Sequence, residues 1–144
     1  MKKLQKIQII LFREKRKKLE FLLLKREGLQ RSWWQGITGG VEEFDETLKD
    51  ACVRELNEEI NFQTANDKII GPLNQFEFVT KRKGYEGQTA TEYIFAIELP
   101  VDFKPILNDE HSEFKWLGFE EAINLIDFKE SKDVVKMISN KYHC

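Results

Sequence analysis

Two apolar runs, residues 4–12 and 19–25, open the chain, and the charged segment 13–18 separates them. Both are rich in β-forming residues. In the second, Leu19, Phe21 and Leu23 share one face while Leu22 and Leu24 share the other, so burial on both faces and a central strand are predicted. The stretch 32–43 carries Gly36, Gly39 and Gly40 and is expected to be irregular. Residues 46–60 then place Leu48, Ala51, Cys52, Leu56 and Ile60 at helical spacing.

Further strands are expected near 68–71, at 75–82 and at 89–99, with 83–87 as a hairpin loop between the last two. Residues 114–117 suggest one more short strand. Two helices close the chain, around 119–126 and 131–142. Ser131 is the expected cap of the second, with Val134, Val135, Ile138 and Tyr142 facing inward. The mixture of strands and then helices, with no repeat or Pro/Gly-rich linker, indicates one domain over residues 1–144, α/β or α+β, around one mixed sheet.

Composition narrows the class. The 144 residues are 41% hydrophobic and 33% charged, an ordinary globular balance. No apolar run approaches the ~20 residues that would span a bilayer, and the N-terminus lacks the apolar stretch and cleavage site of a signal peptide. Cys52 and Cys144 form no disulfide framework or metal-type pair, so a cytoplasmic protein is expected. The net charge of −2 argues against general nucleic-acid affinity. Its distribution is uneven: residues 1–31 hold eleven Lys or Arg against three Glu, leaving −10 for the remainder. A basic stretch beside an acidic body suits a polyanion bound together with cations, or simply a solvated hairpin tip.

The helix at 46–60 breaks its own pattern. At ~100° per residue, Glu55 and Glu59 fall about 20° to either side of Leu48, in the middle of the apolar stripe, and Glu58 lies at its edge. A buried, unpartnered carboxylate costs several kcal/mol, so each must protonate, pair or bind a cation. Arg54 can neutralise only part of this charge. A hard divalent ion such as Mg²⁺, which takes oxygen ligands, meets the remainder. Gly39 and Gly40 let the backbone approach a ligand closely, and a free carbonyl there would be one more oxygen donor. Cys52, inside the stripe, reads as a small core residue.

Taken together, Gly40-(five residues)-Glu46-(seven residues)-Arg54-Glu55-Leu56-Asn57-Glu58-Glu59-Ile60-Asn61-Phe62 resembles the Nudix box, G-x5-E-x7-R-E-U-x-E-E-x-G-U, with U a bulky aliphatic. The fixed positions match except that Asn61 replaces the last glycine, a mild change where a helix ends in a left-handed residue. Phe62 meets the final position loosely. Leu22–Arg26, Trp34-Gln35, Thr38–Gly40, Glu110-His111 and Lys115–Leu117 extend the likeness toward the family's bacterial branch that hydrolyses dihydroneopterin triphosphate and dATP.

The resemblance implies an α/β/α sandwich and hydrolysis of a nucleoside or pterin triphosphate to the monophosphate and pyrophosphate. Diadenosine polyphosphates and RNA 5′ triphosphate ends are alternatives, and a nucleotide-sensing module that keeps the fold is the non-enzymatic one. The implied ligands of Mg²⁺, or Mn²⁺ in its place, are Glu55, Glu58, Glu59, the Gly39 carbonyl and Glu110, with Glu113 competing for the last role. Glu55 or Glu110 is the implied base, Arg54 positions the carboxylates, and Glu46 supports the loop–helix geometry.

Lys25 and Arg26 are candidates for the phosphates or a solvent-facing strand end. With Gly40, Trp34 is a candidate substrate contact, stacking on a base or pterin, or else a loop anchor. Trp33 and Tyr85 are weaker stacking candidates, and His111 is expected to be an exposed neighbour of Glu110. The partner is a small molecule and not a membrane or nucleic acid, and a homodimer is left open.

Overall fold

In the computed structural model, which describes residues 4–142, the first two strands outrun their apolar stretches. β1 (Leu4–Lys15) and β2 (Lys18–Glu27) take up most of the charged segment and leave a turn of two residues. Lys15 pairs with Lys18, and Arg16 and Lys17 both sit at positive φ, 53° and 66°. Such a turn matches the twist of the flanking strands.

The glycine-bearing stretch, expected to be irregular, instead forms β3 (Ser32–Gln35) and β4 (Ile37–Gly40). β3 pairs with β2 and β4 with the first half of β1. The chain changes partner at Gly36, where a Cβ would overlap the carbonyl of Ile9. Only glycine permits that approach.

β1 is therefore the hub of a seven-stranded mixed sheet. Its first half pairs with β4, its second half with β2, and it runs parallel to β6 (Thr89–Glu98). The expected strands at 68–71 and 75–82 merge into one edge strand, β5 (Ile70–Val79). β7 (His111–Leu117) begins earlier than expected and pairs with β2.

α1 (Leu48–Ile60) covers one face of the sheet over Ile7, Ile9, Leu11, Leu22 and Leu24. α2 (Phe119–Leu125) and α3 (Lys129–Tyr142) cover the other, over Ile10, Phe12, Phe21 and Leu23. This is the α/β/α sandwich implied by the resemblance, because alternation along β1 and β2 feeds two separate cores. No helix among the described residues is long and apolar enough to cross a membrane.

Helix ends follow local chemistry. Thr47 caps α1, its hydroxyl accepting from the Asp50 amide at 3.1 Å. Asn61 closes it at φ 59°, ψ 38°, the left-handed seat expected of the glycine it replaces. α3 starts two residues before Ser131, so that residue is not its cap. Ser131 is buried and donates to Gln8 Oε1 at 3.0 Å, while Gln8 Nε2 donates to the buried carboxylate of Glu92 at 2.8 Å. Val134, Val135 and Ile138 face inward as expected. The Tyr142 side chain and Cys144 lie outside the described residues.

The β1–β2 turn gives a stability prediction. Two side-chain-bearing residues at positive φ cost stability that Asn and Gly would not. The double substitution Arg16→Asn, Lys17→Gly is expected to raise unfolding free energy by about 1 kcal/mol. Urea denaturation reads it as a higher midpoint with an unchanged slope.

Candidate active site

α1 places Glu55 and Glu59 toward the sheet, as the wheel predicts: both are buried, and Glu58 is exposed. Glu55 has room because position 39 has no side chain, where a Cβ would overlap its carboxyl group. Burial, opposed by Arg54 and reinforced by Glu58 and Glu59, pushes the Glu55 carboxyl up to about 7. At neutral pH it is therefore divided between ionised and protonated forms.

Arg54 fastens the loop to the helix. Its Nη2 donates to the Gly40 carbonyl at 2.9 Å and to Asp45 Oδ2 at 2.8 Å, and Nε reaches Asp45 Oδ1 at 3.2 Å. Nη1 donates to Glu55 Oε1 at 2.8 Å and reaches Glu58 Oε2 at 3.5 Å. The fork onto Asp45 holds that carboxyl below its ordinary range.

Support of the loop thus falls to Asp45. Glu46, to which the resemblance gave that role, is exposed and makes no hydrogen bond or ion pair among the described residues. Asp45 also accepts from the Glu42 amide at 2.8 Å, which a sequence pattern centred on Glu46 does not suggest.

The far end of α1 meets β7. His111, expected to be exposed, is buried, its side chain 1% accessible and Nδ1 3.1 Å from Glu59 Oε2. The pair is close but not aligned as a hydrogen bond, and neither ring nitrogen has a protein partner. Simple alternation back from Trp116 would turn Ser112 inward. A bulge opposite Lys25 and Arg26 brings His111 there in its place.

Burial would raise Glu59, but His111, Glu110 and Asn108 together hold it below its ordinary value. Glu110, exposed beside it, is raised by burial and by Glu59, while Arg26 and His111 pull the other way. Asn108, which sequence reasoning missed, straps the helix end by donating to the Glu58 carbonyl at 3.3 Å.

The pleat of β2 sorts the remaining candidates. Arg26 pairs with His111 and Trp33, and Lys25 with Glu113 and Trp34. Paired residues point to the same side of a sheet. Arg26 therefore shares the α1 face with Leu22 and Leu24. Lys25 and Glu113 lie on the opposite face, joined by a 3.3 Å ion pair.

Trp34 goes with them, packed against the α2/α3 core with Lys115 5.0 Å over its ring. It is not a stacking surface beside Glu55. Trp33 is on the α1 side, its indole N–H bonded to Gln35 at 2.9 Å. Cys52 is buried in the core, and burial pushes its thiol up, so it is inert. Tyr85 stands apart, in the β5–β6 loop.

Glu55, Glu58 and Glu59 offer carboxylate oxygens from one helix, the ligand type of a hard divalent ion. Glu59 Oε2 is buried without a hydrogen bond, and the Gly39 cradle holds Glu55 on the same helix face, so the residues fit such an ion. Glu55 and Glu58 face Arg54, and Glu59 faces His111. Among the described residues, no group of three or more His, Cys, Asp or Glu side chains is gathered to hold a metal.

Comparison with known proteins identifies the family and the fold. The family model described as NUDIX domain matches residues 3–137. Dihydroneopterin triphosphate diphosphatase of Haemophilus influenzae is 28% identical over 122 residues, 80% of this chain and 75% of that protein. The asymmetrical bis(5′-nucleosyl)-tetraphosphatase of mouse is 31% identical over 116 residues, 79% of this chain and 74% of its own. The structure of E. coli dihydroneopterin triphosphate pyrophosphohydrolase superposes with a TM-score of 0.76 at 24% identity, covering 95% of each chain.

The raised Glu55 pKa carries a pH dependence. A carboxyl whose folded pKa lies above its unfolded value keeps its proton in the native state, so stability is lost as pH rises from about 4.5 toward 7. In metal-free protein, Glu55→Gln is expected to melt a few degrees above the parent at pH 8 and level with it at pH 4. A thermal scan at the two pH values reads the difference.

Proposed function

Because the chain belongs to the Nudix family and is a hydrolase acting on phosphoric anhydrides, we propose that it cleaves a nucleoside or pterin triphosphate to the monophosphate and pyrophosphate with Mg²⁺ as cofactor, which Mn²⁺ replaces. The observation that carries this reading is a carboxylate helix whose Glu55 is buried against Gly39 and held, with Glu58, by one arginine. The similarity to a dihydroneopterin triphosphate diphosphatase supports the choice of substrate.

Glu58, Glu59, Glu55, Glu110 and the Gly39 carbonyl would hold the metal. When bound, a divalent ion neutralises phosphate charge and lowers the pKa of water. The chain's own residues do the rest. Arg54 fixes the loop and the Glu55 carboxylate in one geometry, which is most of what a protein contributes to phosphoryl transfer.

Glu55, in its ionised form, accepts a proton from the attacking water. Glu110 is the competing base. Arg26, on the α1 face and close enough to Glu110 to lower its pKa, brings positive charge toward the phosphates.

A dinucleoside polyphosphate is the second reading, supported by the 31% identity to the mouse tetraphosphatase. Products separate the two. ³¹P NMR of a triphosphate digest shows pyrophosphate under the first reading. Under the second, a dinucleoside tetraphosphate is cut to a nucleoside tri- and monophosphate while simple triphosphates persist.

Glu58→Gln is expected to lose nearly all turnover, at least about 100-fold, with an unchanged melting temperature in metal-free buffer. Chelation should abolish the activity of the parent protein, and Mg²⁺ should restore it. Full Mg²⁺-dependent activity in the Glu58→Gln protein would overturn the ligand assignment.

A further inference from the structure

Of the carboxylates Glu55, Glu58 and Glu59, the first two face Arg54, which bonds one and reaches the other. Glu59 receives no bond from that arginine among the described residues. Its neighbour is His111 of β7, with Nδ1 3.1 Å from Glu59 Oε2. The two side chains are 1% and 3% accessible, so bulk solvent serves neither.

Packing alone would not choose this contact. An apolar side chain at 111 would fill the space without desolvating polar atoms. Here Glu59 Oε2 and both ring nitrogens are buried with no aligned partner. The ladder between β2 and β7 also slips at Lys25 and Arg26, which brings this ring inward. Buried polar atoms left unpaired in a native fold call for an explanation other than packing.

The backbone beneath the ring is tied to the helix by other groups. The Ile106 amide donates to the Ile60 carbonyl at 3.2 Å, and Asn108 Nδ2 donates to the Glu58 carbonyl at 3.3 Å. Asn108 in turn accepts from the His111 amide at 3.4 Å through its carbonyl, and from the Glu110 amide at 3.0 Å through Oδ1. The imidazole takes no part in these bonds, so it is held in place without using its N–H. At 3.1 Å the separation from Glu59 is already that of a hydrogen bond, and only the angle is missing. A turn of the ring or of the carboxyl group about its own bonds supplies that angle. A carboxylate accepts several hydrogen bonds, so one from the ring fixes its orientation and leaves lone pairs for a cation.

We propose that His111 is the positioning residue for Glu59: its Nδ1–H fixes the orientation of that carboxylate and so sets how tightly α1 holds a divalent cation. The inference rests on the metal reading above and adds a residue that does not itself touch the ion. Groups that orient a metal ligand in this way are worth about 10- to 100-fold in affinity.

Mn²⁺ alone, with no substrate, is the probe, and the EPR signal of the free ion during a titration gives its affinity. Asn and Leu branch alike at Cγ, but only Asn places an N–H where Nδ1 stands. His111→Leu is expected to weaken Mn²⁺ binding about tenfold, while His111→Asn stays within about threefold of the parent. His111→Ala, which also lacks the donor, should match His111→Leu. In a Glu59→Gln background His111→Leu should have no further effect, because the route through Glu59 is already cut. A purely structural histidine would instead lower the metal-free melting temperature and leave Mn²⁺ affinity unmoved.

Unchanged affinity in His111→Leu, equal losses in the Leu and Asn variants, or the same loss repeated in the Glu59→Gln background would overturn the assignment. Glu58→Gln reports on the metal reading separately. If Glu58→Gln weakens Mn²⁺ binding but His111→Leu does not, the metal site stands and the positioning role falls. If His111→Leu weakens it and His111→Asn restores it while no triphosphate is cleaved, the positioning role stands and the substrate reading falls. A parent protein that binds Mn²⁺ no more tightly than Glu58→Gln sinks both.

Discussion

One guanidinium governs the geometry of the carboxylate face. Arg54 bonds the backbone of β4 through Gly40, the loop through Asp45 and the helix through Glu55, and it reaches Glu58. Strand, loop and helix would otherwise be free to shift relative to one another, because loop backbones carry little packing of their own. A lysine could not replace it: a point charge lacks the fork that satisfies a carboxylate and a carbonyl at once.

The same arrangement shows a tension between stability and chemistry. Glu55 and Glu59 occupy places where an apolar side chain would pack against the sheet, and Glu55 retains a pKa near neutrality because burial outweighs Arg54. The molecule offsets this cost elsewhere. Two aliphatic cores flank the sheet, and the buried Ser131–Gln8–Glu92 chain is hydrogen-bonded between α3 and the sheet. Functional sites are commonly placed where local rules are broken in this way.

Much of the site was legible because a helix has a fixed period. Once residues 46–60 are helical, the angles between Leu48, Glu55 and Glu59 follow, and burial of both acids follows from the stripe. The left-handed end at Asn61 was legible for a similarly local reason. Strands were less legible. β3 and β4 are short and rich in glycine, and they exist because β1 offers them an edge, a fact of pairing and not of propensity.

What the chain by itself determined is the fold class and the carboxylate helix, since these rest on periodicity within a few residues; the seating of Glu55 against Gly39 came from the tertiary structure. Tertiary structure alone decided which face of β2 meets that helix, and with it the parting of Arg26 from Lys25 and of Trp33 from Trp34. It also decided that Asp45 and not Glu46 holds Arg54, and that a bulge turns His111 inward. Alternation along a strand is written in the sequence, but the side on which another element packs, and the place where a ladder slips by one residue, are set by partners far away in the chain.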